Sequence, residues 1–358
     1  MKRSMPIQDL LELGLRRLMQ ATVVGGLVLA AVVPAGSDAQ ERVLNLYSAR
    51  HYQTDEALYA DFTKQTGIKI NRIELGDEPL LQRLRTEGAA SPADVVLLVD
   101  AARLWRAQIK GLFQPVQSKV LNERIPANLR SNDGTWYGFS SRARVIVYDK
   151  ARVKPEDVDT YEKLADPKNK GRVCTRSGSH PYMLSLIGSL LERLGPEKTE
   201  EWARGMVANM ARPPRGGDTD QIKGVASGEC GVALTNTYYW VRLVRSEDPT
   251  DKAIVSKVGF IWPNQATTGT HMNISGGGVA KNAPHQANAV AFLEYLTSPK
   301  AQSYFADGNN EWPVVKGAVT DNKALSALGT PRMEDVPIST IGKNQIAAQR
   351  ILDRVGYR

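Results

Sequence analysis

The sequence predicts an α/β chain whose largely parallel strands are divided between two lobes, and three observations lead there. Strand-like and helix-like segments alternate from about residue 43 to the end, as when strands are joined by crossover helices. Residues 93–99 (ADVVLLV), bounded by Pro92 and Asp100, form the near-continuous apolar run of a strand buried on both faces. Two extended stretches, 137–148 (YGFSSRARVIVY) and 258–263 (VGFIWP), read as passages between lobes. Two passages make each lobe discontinuous and leave a central cleft. The first lobe then comprises 40–138 with about 259–310, and the second 139–258 with about 311–358.

The elements follow in order. Residues 43–47 form a short apolar strand, and Thr54 is placed to cap a helix reaching about Gln65, with Leu58 and Phe62 on one face. Residues 68–75 read as extended and 80–87 as helix. A chain of 358 residues with 42% hydrophobic content can fill more than one core, which excludes a disordered tail protein. Two cysteines exclude a multi-cysteine zinc or iron–sulfur site. The formal charge of +8 is spread without a run of five or six basic residues, so nucleic acid is not an expected partner.

Residues 1–39 read as an address rather than as part of the fold. Lys2, Arg3, Arg16 and Arg17 precede the apolar run 18–33, and Ser37-Asp38-Ala39 fits a small-x-small cleavage site. A cleaved signal peptide is expected, by the twin-arginine or the general export route; the alternative is a retained anchor, for which the run is short. Export into an oxidising compartment would let Cys174 and Cys230 form one disulfide, since each lies beside a strand-like stretch. The alternative is two unpaired buried thiols.

Ligands of open α/β sheets bind beyond the carboxyl ends of strands. The first strand runs out into Ser48-Ala49-Arg50-His51-Tyr52, the stretch 171–175 into Arg176 through Tyr182, and 231–235 into Asn236-Thr237-Tyr238-Tyr239. Three strand ends thus deliver four tyrosines and at least one histidine to one side of the sheets. Phenolate is a hard anionic donor suited to a highly charged cation, with ferric iron the obvious candidate. Four phenolates and a neutral His51 sum to −4 against +3, and Arg142 and Arg242 stand at sequence positions from which to offset the excess. Packing of the tyrosine rings is the alternative, tyrosine's usual role.

In these residues the chain resembles the periplasmic ferric-iron-binding proteins of ABC transporters, particularly the cyanobacterial type without a required synergistic anion. The resemblance runs through 44–70 (LNLYSARHYQTDEALYADFTKQTGIKI), 91–104, 136–150, 217–222, 228–240 (GECGVALTNTYYW), 270–285 and 309–315 (NNEWPVV). It implies a two-lobed venus-flytrap fold of type II, with iron on His51, Tyr52, Tyr182, Tyr238 and Tyr239 and with Arg142 and Arg242 facing the phenolates. It also implies a periplasmic monomer that delivers ferric iron to an inner-membrane ABC permease; ferrous iron is the other state these donors could hold. By the same resemblance His271 shapes the hinge and His285 sits on a solvated helix.

Two other classes stand beside this reading. The same fold could take an organic cation between Tyr238 and Tyr239 by cation–π contact, or an oxyanion at Ser177-Gly178-Ser179. An enzyme is not expected, because GxSxG, HExxH and P-loop motifs are absent.

Overall fold

The computed structural model describes residues 42–50 and 52–358; the expected signal segment and His51 lie outside the described residues. Nine strands occur among them: β1 (Val43–Ser48), β2 (Lys69–Glu74), β3 (Val95–Val99), β4 (Tyr137–Asp149), β5 (Val173–Cys174), β6 (Val232–Asn236), β7 (Val258–Ile261), β8 (Met272–Val279) and β9 (Trp312–Pro313). They join in the order β2-β1-β3-β8-β4-β6-β5, with β7 and β9 also on β4.

The predicted passage at 137–148 is a single strand serving two sheets. Residues 137–143 of β4 pair with β8, whereas residues 144–148 pair with β6. The second passage differs from expectation. Val258–Ile261 pairs antiparallel with Ile146–Asp149, so it belongs wholly to the sheet of β6, and the return to β8 runs through residues 262–271. The expectation of largely parallel strands also needs correction. The β1–β2, β1–β3 and β5–β6 pairs are parallel, but every pairing of β4 and β8 is antiparallel. Antiparallel neighbours need no helical crossover, so strands that pass between sheets can join them directly.

The glycine run of β8 has a steric cause. A Cβ on Gly276, Gly277 or Gly278 would lie 2.4, 2.3 and 2.1 Å from the carbonyl oxygens of Tyr137, Val96 and Thr135. β8 is threaded between β3 and β4 so closely that only glycine fits.

Two main cores form on either side of the join. One gathers Leu44, Leu46, Leu58, Phe62 and β3; the other gathers Ile146, Val173, Met183, Leu186, Trp202 and Leu234. The chain beyond residue 310, expected wholly in the second lobe, is shared between them: Val314, Ile338 and Ile341 join the first core, and Ala348, Ile351, Leu352 and Tyr357 the second. Among the described residues no helix is long and apolar enough to cross a membrane.

Local expectations hold with two exceptions. The helix Asp55–Thr66 buries Leu58 and Phe62 as predicted, but Thr54 does not cap it; its hydroxyl pairs with Asn309 instead. His285 is only partly exposed. Its Nδ1 lies 3.0 Å from Asp94 Oδ2, because the buried Asp94 carboxylate also takes its backbone N–H and gathers the ring inward.

Cys174 and Cys230 form a disulfide, both buried, closing a loop of sequence separation 56 between the end of β5 and the start of β6. Cys174→Ser is expected to lower stability by about 2–4 kcal/mol on the loop-closure argument. Urea unfolding checks this; an unchanged midpoint with intact protein under reducing conditions would contradict it.

The return segment ends at a buried polar knot. His271 Nδ1 pairs with Glu334 at 2.5 Å, Ser189 donates to the other Glu334 oxygen at 2.5 Å, and the His271 N–H donates to the Tyr161 hydroxyl at 3.0 Å. His271 therefore stands at the passage between the two sheets. Burial works against the Glu334 charge, but His271, Ser189 and Arg193 outweigh it and hold the carboxyl below its ordinary 4.5. A depressed carboxyl contributes stability that is present above the unfolded value and lost as pH falls through the folded one. Glu334→Gln is expected to flatten the loss of stability as pH falls below the ordinary carboxyl value of 4.5, measured by urea midpoints. An unaltered slope would exclude Glu334 as its source.

Candidate functional site

Three strand ends build the site, as the sequence order suggested. Tyr52 follows β1 and precedes the helix Asp55–Thr66. Tyr182 is the second residue of the helix Pro181–Ala208, after β5. Tyr238 and Tyr239 occupy the first turn of the helix Thr237–Arg245, directly after β6. Pro181 suits the first helical position, where a missing N–H costs nothing.

The four tyrosines meet. The Tyr182 and Tyr238 hydroxyls are hydrogen-bonded at 2.8 Å, the Tyr238 and Tyr239 rings lie tilted by 32° with centroids 4.2 Å apart, and Tyr52 stands edge-on to Tyr238 at 6.2 Å. Tyr182 and Tyr238 are buried, while Tyr52 and Tyr239 are partly exposed. A cavity of about 240 Å³, lined by Arg176, His180, Tyr182 and Tyr239 from one side and Ala49 and Asp77 from the other, opens beside them.

Guanidinium groups surround the phenols. Arg50 lies 4.9 Å from the Tyr52 ring, Arg142 and Arg176 lie 5.7 and 5.1 Å from Tyr182, and Arg242 lies 5.1 Å from Tyr239. Arg142 is fully buried; its Nη1 donates to Ser275, and its Nε and Nη2 have no acceptor. Two buried donors without acceptors beside phenols are costly unless an anionic oxygen arrives. Arg242 is exposed and donates to Thr219 at 2.9 Å, so it covers Tyr239 from the outside.

Sequence reading missed several contributors. Glu311 is fully buried and accepts from Ser140 at 2.5 Å and from the Tyr52 hydroxyl at 3.4 Å, with Arg50 and Arg142 each 3.8 Å away. Asp218 accepts from Arg144 at 2.6 Å and Arg176 at 3.3 Å, tying both arginines beneath Tyr182. His180 caps the helix of Tyr182, its Nδ1 accepting the Tyr182 N–H at 3.2 Å. Burial, reinforced by Arg176 and Arg144, pushes the His180 ring down to about 3, so it is neutral and serves as an acceptor. Glu311 lay within the NNEWPVV segment, where an acidic residue beside Trp was the available signal.

Electrostatics favour neutral phenols until a cation enters. Burial, then Glu311 and Tyr182, push the Tyr52 phenol well up; burial, then Tyr182 and Tyr52, do the same to Tyr238; burial, then Tyr239, raise Tyr182. Burial also works against the Arg142 charge, but Glu311 and the neighbouring phenols outweigh it. Among the described residues no group of three or more His, Cys, Asp or Glu could hold a metal ion; the oxygens gathered here are the four phenols and the carboxylate of Glu311 beside Tyr52.

Residues 57–329 match the family of bacterial extracellular solute-binding proteins. The iron uptake protein A1 of Synechocystis is 50% identical over 90% of this chain and 90% of its own length, and iron uptake protein A2 is 48% identical over 94% and 97%. Among solved structures, the Trichodesmium protein IdiA (FutA) in complex with iron and citrate superposes with a TM-score of 0.85 at 52% identity, covering 88% of this chain and all of that one.

Proposed function

Because the chain belongs to the bacterial extracellular solute-binding proteins, alongside the Synechocystis iron uptake proteins, we propose that it captures ferric iron in its cleft through tyrosine phenolates. Tyr52, Tyr182, Tyr238 and Tyr239 are the proposed ligands, and His51 is proposed as a fifth from its sequence position alone. The observation that carries the reading is the hydrogen-bonded pair of Tyr182 and Tyr238 hydroxyls beside Arg142, whose buried nitrogens await an anionic oxygen.

A trivalent cation reverses the electrostatics of the site. It offsets the mutual repulsion of the phenolates, and each ligand gives up its proton to bind. Excess negative charge is then met by Arg142 and Arg176 from within and by Arg242 from outside. One lobe supplies Tyr52 and the other the remaining three, so bound iron favours closure about β4 and residues 262–271 by its differential affinity for the closed state. The protein acts as a periplasmic monomer and a carrier rather than an enzyme, exported by the signal in residues 1–39. It hands iron to an inner-membrane ABC permease, and reduction to the ferrous state eases release by removing one unit of cation charge.

The Tyr238 and Tyr239 rings, tilted by 32° with centroids only 4.2 Å apart, leave no slot between them for an organic cation, which favours the metal reading over the cation–π alternative. Aerobic titration of the iron-free protein with ferric citrate tests it. A broad visible band rising to one equivalent and bleached by dithionite is expected; a colourless protein at every ratio would remove ferric iron.

A further inference from the structure

A cavity of about 750 Å³ lies where the helix Ala101–Ile109, the start of the helix Pro181–Ala208 and the helix Gln345–Val355 meet. That size falls within the range of small-molecule sites. Arg103, Arg106 and Lys110 follow at spacings of three and four and so share one side of their helix, while Arg350 lines the cavity from the last helix. Among the lining residues one carboxylate, Glu78, stands against these four cations and pairs with both Arg103 and Arg106, while Asp77 acts on Arg103 from outside the cavity.

The Glu78 clamp shows that the two guanidinia are oriented for carboxylate oxygen. They are not saturated by it, for Arg103 Nε is buried without an acceptor. Neither Lys110 nor Arg350 has an ion-pair partner among the described residues. Burial and the charges of Arg106, Arg85 and Arg103 lower the proton affinity of Lys110, as expected of cations held together without enough counter-charge. Trp105 and Leu184 supply apolar wall, and Ile109 and Ile346 stand at the rim, each 57% exposed.

The position matters as much as the charge. Pro181 lines both this cavity and the smaller one against Tyr182 and Tyr239, so the two lie on either side of the residue that precedes a proposed iron ligand. Ferric iron hydrolyses at neutral pH and stays dissolved chiefly as chelates, of which polycarboxylates are a main class.

We propose that this cavity binds a small polycarboxylate, docking the chelate that carries ferric iron beside the tyrosines that take it. The proposal rests on the ferric reading above for its role, though not for its binding chemistry. Arginine forks and Lys110 would take the carboxylates, and Trp105 and Leu184 the carbon skeleton.

Citrate is the probe. Calorimetry on iron-free protein is expected to show citrate binding that falls at least about tenfold in Lys110→Glu/Arg350→Glu, the loss of about one charge-assisted hydrogen bond. Lys110→Met/Arg350→Met is the milder companion should the charge reversal unfold. Stopped-flow iron uptake from ferric citrate is expected to slow in the same variants. Uptake from ferrous ammonium sulfate oxidised in air should stay at the wild-type rate. Citrate binding that is absent, or unchanged in both variants because it sits among the tyrosines, would overturn the proposal. A protein that colours with neither iron source yet binds citrate through Lys110 and Arg350 would overturn the ferric reading and the docking role together, leaving a carboxylate site.

Discussion

Tyr238→Phe is expected to weaken ferric iron binding by at least about 100-fold, the upper end of what losing an outer-shell partner of a metal costs, and to erase most of the visible absorbance. Tyr238 is the centre of the cluster: its hydroxyl meets that of Tyr182 at 2.8 Å, and its ring touches both Tyr52 and Tyr239. Phe keeps the ring packing and removes only the donor oxygen, so the fold should survive. Competition against citrate measures the affinity and a spectrum the colour. Tyr137→Phe is the control, since Tyr137 is equally buried but packs in the first core, its hydroxyl bonded to Val116 O at 3.2 Å. Full colour in Tyr238→Phe, or equal loss in Tyr137→Phe, would contradict the ligand assignment.

Asp218→Asn is expected to destabilise the protein by about 3–5 kcal/mol, the cost of leaving a buried charge uncompensated. Asp218 is fully buried and serves three donors, Arg144 at 2.6 Å, Arg176 at 3.3 Å and the Asn236 N–H at 2.7 Å. An amide can accept some of those bonds but cannot offset two guanidinia. Arg176→Met should cost far less, because the Arg144–Asp218 pair remains and Arg176 is partly exposed. Urea midpoints of both variants check the order. Similar midpoints for Asp218→Asn and wild type would show that Asp218 does not hold the arginines in place.

The strand ends were legible because their signals are local. The apolar run before Asp100, the Pro181 helix start and the Asn236-Thr237-Tyr238-Tyr239 junction each fix an element and the direction in which its next residues emerge. What was not legible depends on long-range pairing. Glu311 reaches Tyr52 across 259 residues of sequence, and Asp218 reaches Arg144 across 74, so neither carries a mark of its role in its own segment. The tail beyond residue 310 divides between two cores because apolar residues such as Val314 and Leu352 fit either, and periodicity does not say which. Likewise, Val258–Ile261 is extended in sequence whether it crosses or merely edges a sheet; only its pairing with β4 decides.

The central claim is that one ferric ion sits among Tyr52, Tyr182, Tyr238 and Tyr239. Anomalous diffraction at the iron edge from crystals of the iron-loaded protein tests it most directly. The account predicts a single peak per chain within coordination distance of those four phenolic oxygens, with Arg142 turned towards them. A peak elsewhere, or one touching fewer than three of the four tyrosines, would contradict it.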